Sequence, residues 1–294
     1  MTVRVIDLFA GIGGFHQAFH NLNTEVVFSS EWEPNARKTY QANFEKVSPK
    51  VFEGNNFAGD ITQVDPKNIP DFDVICGGFP CQPFSNVGKR QGFADEKGRG
   101  NLFFNIAAII KEKQPKAFFL ENVRGLLSHD SGNTFLAIQK IIEELGYSFH
   151  WKLIKASDFN VPQHRPRVFM VGFRNDIDDS NFSFPESVPL TNTISEVLGG
   201  VVTTPAGKDR AVGFTLRVGG RRSGIHDRRN WDGYVVDGVE RFITVDEGRR
   251  MQGFPEGFEF PVSDVQAFKQ LGNSVAVPAV QATASQLLDI IRHS

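Results

Sequence analysis

Up to residue 175 the chain alternates apolar strand-like runs with amphipathic helix-like runs, and few folds accept that alternation. Residues 3–9 (VRVIDLF) read as a strand, followed by a glycine turn and a helix starting near Gly13. EVVFSS, residues 25–30, reads as a second strand, and EPNARKTYQANF as a helix with Pro34 in its first turn. DFDVICGG is a strand, NLFFNIAAIIKEK an amphipathic helix, KAFFLENV a strand, and GNTFLAIQKIIEELG a helix closed by glycine. YSFHWKLI and RVFMVGF complete the series as strands. Such a pattern predicts an α/β domain with a mostly parallel sheet and helices on both faces. Ligands of such sheets bind beyond the carboxyl ends of the strands. DLFAG, GGFPC and LENV all stand at those ends, so three separate motifs are expected around one cleft.

The pattern changes after residue 175. Residues 176–240 are rich in Gly, Thr and Arg without a helical period, as expected of a small irregular β or loop region. Helical texture returns at SDVQAFKQLG, and a last helix puts Val280, Ala284, Leu287, Leu288 and Ile291 on one face. The expected organisation is a large domain over 1–175 completed by 262–294, with a small domain and hinge over 176–261. No apolar run approaches the length of a membrane span, and MTVRVIDLFAG lacks the basic and long apolar regions of a secretion signal. Two cysteines, Cys76 and Cys81, suit reduced thiols and a cytoplasmic location better than a disulfide framework. The net charge of −2 excludes a protein coated in positive charge, yet one stretch is locally basic. Between residues 205 and 231, Lys208, Arg210, Arg217, Arg221, Arg222, Arg228 and Arg229 face only Asp209 and Asp227. That stretch is either an electrostatic footprint for nucleic acid or a solvated loop whose arginines pair locally.

GGFPCQPFS, residues 77–85, sets Cys81 in a turn that Pro80 and Pro83 stiffen. Cys76 has the strand position of a core cysteine, and Cys81 does not. Cys81 is therefore either a thiol aimed into a cleft or an unreactive loop residue. DLFAGIGGF, residues 7–15, is a strand, a glycine turn and a helix start, an arrangement that cradles nucleotides. It misses the dinucleotide fingerprint, because the third glycine would fall at His16. Glu31 ends the second strand where an acid commonly accepts from ribose hydroxyls. Trp32 offers a flat face for adenine, and Asp60 of GDI could accept from its amino group. Together these residues point to an adenosine-containing cofactor without a pyrophosphate. No metal site is expected.

In order, DLFAGIGGF, SSEWEPNA, GDI, GGFPCQPFS, NLFF, FLENV, QHRPRVF, RFITVDEGRRMQGFP and QLGNSVAVP resemble the motif series of the DNA (cytosine-5)-methyltransferases of prokaryotic restriction-modification type. The resemblance covers the chain except residues 176–240. It implies a Rossmann-like, S-adenosylmethionine-dependent domain with a small target-recognition domain. The implied reaction is methyl transfer to carbon 5 of a cytosine flipped out of a short duplex sequence. Carbon 5 is a poor nucleophile, and a thiolate adding at carbon 6 makes it enamine-like and able to attack a sulfonium methyl group. Cys81 matches the family's nucleophile. Glu121 matches the acid that holds ring nitrogen 3 and the amino group. Arg165 and Arg167 match the pair that orients the base; without the resemblance they would read as phosphate contacts or a strand edge. The cofactor would be held by Phe9, Gly11, Gly13, Glu31, Trp32, Asp60, Ile61, Pro80, Leu102, Asn273, Ser274 and Val275. The carbonyls of Phe79 and Pro80 are expected to help read the amino group.

Residues 82–101 are polar and carry Lys89, Arg90, Lys97 and Arg99. They read as a lid closing over DNA or as an ordinary loop, and in the first case Ser85, Lys89, Arg90 and Arg99 would face the DNA. Residues 213–234 fall in the family's variable recognition region, where Thr215 and Leu216 match a common Thr-Leu pair. Arg217, Arg221, Arg222, Arg228 and Arg229 would divide between guanine edges and phosphates. In RFITVDEGRRMQGFP, Asp246 and Gly248 stand where the family often differs, whereas Arg241, Thr244, Glu247 and Arg250 fit. The expected partner is double-stranded DNA, met by a monomer, with a cognate restriction endonuclease as the second activity of such a system. Three other readings compete. An RNA methyltransferase of this fold is opposed by the absence of Cys-Phe-Thr after QHRPRVF. A catalytically dead DNA-binding protein would be expected to have lost Cys81, Glu121 or the cofactor acids. A nicotinamide dehydrogenase is opposed by the missing third glycine.

Overall fold

A computed structural model describes residues 2–80 and 102–293. Its first part runs β1 (Arg4–Leu8), α1 (Gly14–His20), β2 (Glu25–Ser30), α2 (Pro34–Phe44), β3 (Phe57–Ala58) and β4 (Val74–Gly78). Then follow α3 (Leu102–Lys113), β5 (Ala117–Val123), α4 (Asn133–Glu144), β6 (His150–Lys155) and β7 (Pro166–Phe173). Local chemistry sets the boundaries. The Glu33 side chain caps α2 by accepting from the Ala36 amide, and Pro34 occupies the first turn, where its missing amide costs nothing.

The strands form a seven-stranded sheet in the order β3-β2-β1-β4-β5-β7-β6. The expected parallel sheet holds with one exception, because β7 runs antiparallel to both β5 and β6. Parallel neighbours need a crossover of roughly a dozen residues or more, and the link 156–165 is too short to supply one. Neighbouring strand residues point to opposite faces, and both faces are covered. Val5, Cys76, Phe119 and Val171 pack with α1 in one core cluster. Ile6, Ile75, Leu120 and Met170 pack with α3 and α4 in the other. Strands buried on both faces read as continuous apolar runs.

The chain then forms α5 (Ile194–Leu198), β8 (Val202–Thr203), β9 (Gly233–Val236) and β10 (Val239–Phe242), the strands making a three-stranded antiparallel sheet. Between β8 and β9 the described chain is irregular and anchored by Trp231, which is fully buried and donates its indole N–H to the Gly219 carbonyl. α6 (Val245–Gln252) begins in a capping box of Thr244 and Glu247. Arg241 grips Glu247 with two nitrogens and the Leu198 carbonyl with one of them, and Arg250 donates to the Val197 and Glu196 carbonyls. The residues of RFITVDEGRRMQGFP thus tie β10 and α6 to α5. α7 (Asp264–Asn273) and α8 (Val277–Arg292) close the fold. Residues 264–292 are long and apolar enough to be weighed as a membrane span, but they are two helices, and α8 buries Val280, Ala284, Leu287, Leu288 and Ile291 in the core, the face expected from the sequence.

Candidate active site

The carboxyl ends of β1, β2, β4 and β5 open onto one cavity of about 700 Å³. Its walls include Phe9, Gly11, Glu31, Trp32, Asp60 and Ile61, and also Glu121, Asn122, Arg165 and Arg167. The residues expected to hold a cofactor and those expected to act on a base therefore share one space. The antiparallel course of β7 matters here, since it brings the start of that strand, not its end, to the cavity edge. Arg167 lies opposite Val123, and Phe169 opposite Glu121. Side chains two apart on a strand share a face, so Glu121 and Arg167 meet diagonally.

Glu121 is almost fully buried, and Arg167 Nε stands 2.9 Å from its Oε1. The pair stands at ion-pair distance, with Oε1 itself buried. Burial raises the Glu121 carboxyl above its ordinary range, opposed by the charges of Arg167 and Arg165. A Cβ at Gly78 would sit 3.1 Å from Glu121 Oε2, a tight contact that would push on the carboxyl. Asn122 donates to the Phe79 carbonyl at 2.9 Å, fixing the turn that leads through Pro80 toward Cys81. That bond uses one lone pair of the Phe79 carbonyl, the group that the sequence had suggested for reading an amino group. Arg165 is enclosed and donates to the carbonyls of Leu216 (3.2 Å), Gly272 (3.0 Å) and Ser274. Burial, with the charge of Arg167 beside it, lowers its pKa to about 9, and Glu121 opposes the shift. It stays charged at neutral pH.

Phe9 has a left-handed backbone, φ +56°, a costly geometry for a bulky residue, and Gly11 follows with φ +57°. Glu31 holds this turn. Its Oε2 accepts from the Gly11 amide and its Oε1 from the Glu33 amide, each at 2.8 Å. The acid expected to meet ribose hydroxyls therefore also shapes the loop, and ribose would use the lone pairs that remain. Burial raises its pKa, opposed by those amides. Trp32 is 79% exposed, an uncovered aromatic face at the cavity wall. Asp60 caps the turn Ile61–Gln63 through Thr62, and its other oxygen has no partner among the described residues. Pro80, Leu102 and Asn273 line the cavity as expected.

Three residues assigned to the cofactor stand elsewhere. Gly13 faces the Phe44 ring, where its Cβ would lie 2.2 Å from a ring carbon, so packing explains this glycine. Ser274 and Val275 are buried against Gly14 of α1, leaving Asn273 as the member of that motif on the cavity wall. Cys76 is fully buried in β4 and donates to the Ile6 carbonyl, and burial pushes its thiol well up. It has the core position expected. Cys81, Ser85, Lys89, Arg90, Lys97 and Arg99, with the suggested lid, lie outside the described residues.

The basic stretch divides. Arg221 stacks on Phe268 at 4.3 Å and faces Asp232 at 3.9 Å, Arg229 pairs with Asp227 at 2.7 Å, and Arg210 covers Phe214. Arg222 is exposed beside the Phe242 ring, and its backbone amide is held by Asp232. Arg217 and Arg228 are exposed, with no side-chain partner among the described residues. Thr215 is half-buried beside the buried Leu216. Sequence reasoning missed Asn122, and also Arg37, whose guanidinium ties the Glu31, Ala58 and Phe57 carbonyls together. Arg37 follows Glu31 within the first turn of a helix, a spacing that alone indicates nothing.

Comparison with known proteins agrees with this geometry. The family model described as C-5 cytosine-specific DNA methylase matches residues 3–217 and 203–289. The chain is 42% identical over 321 residues to Type II methyltransferase M.SsoII of Shigella sonnei, covering 98% of this chain and 80% of that protein. It is 38% identical over 315 residues to Type II methyltransferase M.HhaI of Haemophilus parahaemolyticus, covering 96% and 93%. Among solved structures, S. pombe Dnmt2 methyltransferase superposes with a TM-score of 0.71 at 21% identity, covering 99% of both chains, a likeness of fold.

Proposed function

The chain belongs to the C-5 cytosine-specific DNA methylase family, and from that premise we propose that Cys81, Glu121, Arg165 and Arg167 are the groups that act on the cytosine. The reaction is methylation of carbon 5 of a cytosine flipped out of duplex DNA, through a covalent cysteine adduct, with S-adenosylmethionine as methyl donor. The observation that carries the residue assignment is the Glu121–Arg167 pair on a cavity continuous with Glu31 and Trp32. That cavity fits the methyl donor, with an acid and an open aromatic ring on its wall for an adenosine. When bound, the donor supplies an electrophilic sulfonium methyl group.

The Cys81 thiolate bonds to carbon 6 while Glu121, protonated, donates to ring nitrogen 3, so the charge pushed into the ring is neutralised there. Carbon 5 then takes the methyl group, the donor leaving as a neutral thioether. The carbon 5 proton leaves to a base, the sulfur–carbon 6 bond breaks to return the thiolate, and ring nitrogen 3 gives its proton back to Glu121. Arg167 keeps Glu121 oriented, and Arg165 stands on the same cavity wall with its charge beside them. Residues 176–261 form the target-recognition unit, and Arg217 and Arg228 are its DNA contacts of first choice. A monomer in the cytoplasm, paired with a restriction endonuclease of the same target, suits relatives that are Type II methyltransferases.

The test is covalent capture. Plasmid methylated by the protein in cells is mapped by bisulfite sequencing, and a duplex of the mapped site is made with 5-fluorocytosine at the target. Fluorine cannot leave as a proton does, so a denaturation-resistant complex should accumulate only with S-adenosylmethionine present. Cys81→Ser should abolish it, and Cys76→Ser should retain it. A covalent band that survives Cys81→Ser would assign the nucleophile elsewhere.

A further inference from the structure

Gln163 is wholly buried, and no step of the reaction uses it. Its Oε1 accepts from the Leu216 amide at 2.9 Å, while its Nε2 donates to the Met251 carbonyl at 2.8 Å and to Gln252 Oε1 at 3.1 Å. Gln252 in turn donates to the Leu271 carbonyl at 2.6 Å. Arg165, two residues on, donates to the carbonyl of the same Leu216. Both backbone groups of Leu216 are thus held by side chains of one short segment. The backbones join in as well, with the Gly213 amide donating to the Pro162 carbonyl and the His164 amide to the Gly213 carbonyl. The irregular chain entering the recognition region is laced onto residues 162–165.

The next residue is Arg217, exposed and without a side-chain partner among the described residues. Its backbone rests on Gly272, where a Cβ would come within 2.6 Å of the Arg217 carbonyl carbon. The Gly272 and Ser274 carbonyls are the other acceptors of Arg165. One guanidinium therefore spans the recognition segment, the loop carrying Asn273 and the catalytic cavity, where its Nε is buried with no partner. Its setting depends on three carbonyls, one of which belongs to Leu216. A recognition segment that is poorly seated on DNA would carry Leu216, and hence Arg165, out of line.

Resting on the function proposed above, we propose that Gln163 is a positioning residue that locks Leu216 to Arg165 and so makes methyl transfer conditional on the target sequence. Without this amide the bond from Arg165 to the Leu216 carbonyl would be the last side-chain tie between the two segments and could break as residues 215–218 shift, so that correct reading would no longer be required for a well-aimed guanidinium.

The experiment compares kcat/KM for a duplex carrying the bisulfite-mapped site with duplexes that each differ by one base pair. In Gln163→Met the ratio of cognate to altered duplex should fall by about tenfold or more. Affinity for S-adenosylhomocysteine without DNA should stay within about twofold of wild type, since Gln163 is not on the cavity wall. A uniform loss of rate with an unchanged ratio would overturn the proposal and leave Gln163 a packing residue. Should Gln163→Met fail to fold, Gln252→Met, which removes one acceptor of the Gln163 amide, must lower the ratio in the same direction, and an unchanged ratio there overturns it equally. A wild-type protein that methylates no DNA would instead overturn the function itself.

Discussion

Arg167 reaches across from β7 to Glu121 on β5, placing Nε 2.9 Å from a carboxylate oxygen in a nearly closed wall of the cavity. Burial raises the pKa of Glu121, and Arg167 is the largest influence pulling it back. A protonated Glu121 donates in the proposed role, so kcat should fall as pH rises through its pKa. Arg167→Ala removes the opposing cation and should move that descending limb to higher pH, while lowering kcat by about 10²-fold from lost orientation. Single-turnover rates across pH check both effects. A descending limb that stays in place would separate Arg167 from Glu121. Arg167→Lys should recover only part of the rate, because a single ammonium lacks the planar fork.

Trp32 and Glu31 should respond differently, although both line the cofactor end of the cavity. Trp32→Ala removes an exposed ring and should weaken S-adenosylmethionine binding by about 1–3 kcal/mol, with no change in thermal midpoint. Glu31→Ala also frees the Gly11 and Glu33 amides, so it should lose affinity and stability together. Calorimetric titration beside thermal unfolding distinguishes them. A stable Glu31→Ala protein would show that the loop holds without its acid.

The exposed arginines are expected to carry the salt dependence of DNA binding. Arg217→Ala and Arg228→Ala should each flatten the plot of log affinity against log salt by about 0.9 if they neutralise a phosphate. Where one of them reads a base, its loss should instead relax sequence preference at one position. Arg221→Ala should chiefly lower stability, because its guanidinium lies over Phe268 and beside the buried Asp232. Filter binding across a salt series is sufficient. Unchanged slopes and unchanged preference in both Arg217→Ala and Arg228→Ala would move the interface elsewhere.

His16 is buried behind the cofactor turn, with Nδ1 2.5 Å from the Tyr40 hydroxyl and Nε2 2.8 Å from Ser48 Oγ. Burial holds its pKa well below the ordinary value, so the folded protein keeps it neutral where the unfolded chain would protonate it. A depressed histidine contributes stability above the unfolded pKa of about 6.5, and that stability is lost as pH falls toward the folded value. From pH 6.5 downward the protein should lose up to about 1.4 kcal/mol per pH unit from this group. Urea unfolding of wild type and His16→Gln at several pH values isolates it. Parallel pH profiles for the two proteins would remove His16 as the cause.

By itself the sequence determined the alternating α/β plan, the face that α8 buries and the core position of Cys76. These are local: period, capping and turn chemistry are written in neighbouring residues. It also determined the family, because motifs in order carry chemistry that needs those residue types. Only the tertiary structure decided the direction of β7, which follows from a link too short for a crossover and which alone brings Arg167 to Glu121. It likewise decided that Ser274 and Val275 pack on Gly14 and that the Glu31 oxygens hold two amides. Which arginines lack a side-chain partner among the described residues, and that Gln163 meets Leu216, were also settled there. Each of these depends on partners far apart in the chain, and burial and hydrogen-bond satisfaction choose such partners only when the whole core closes.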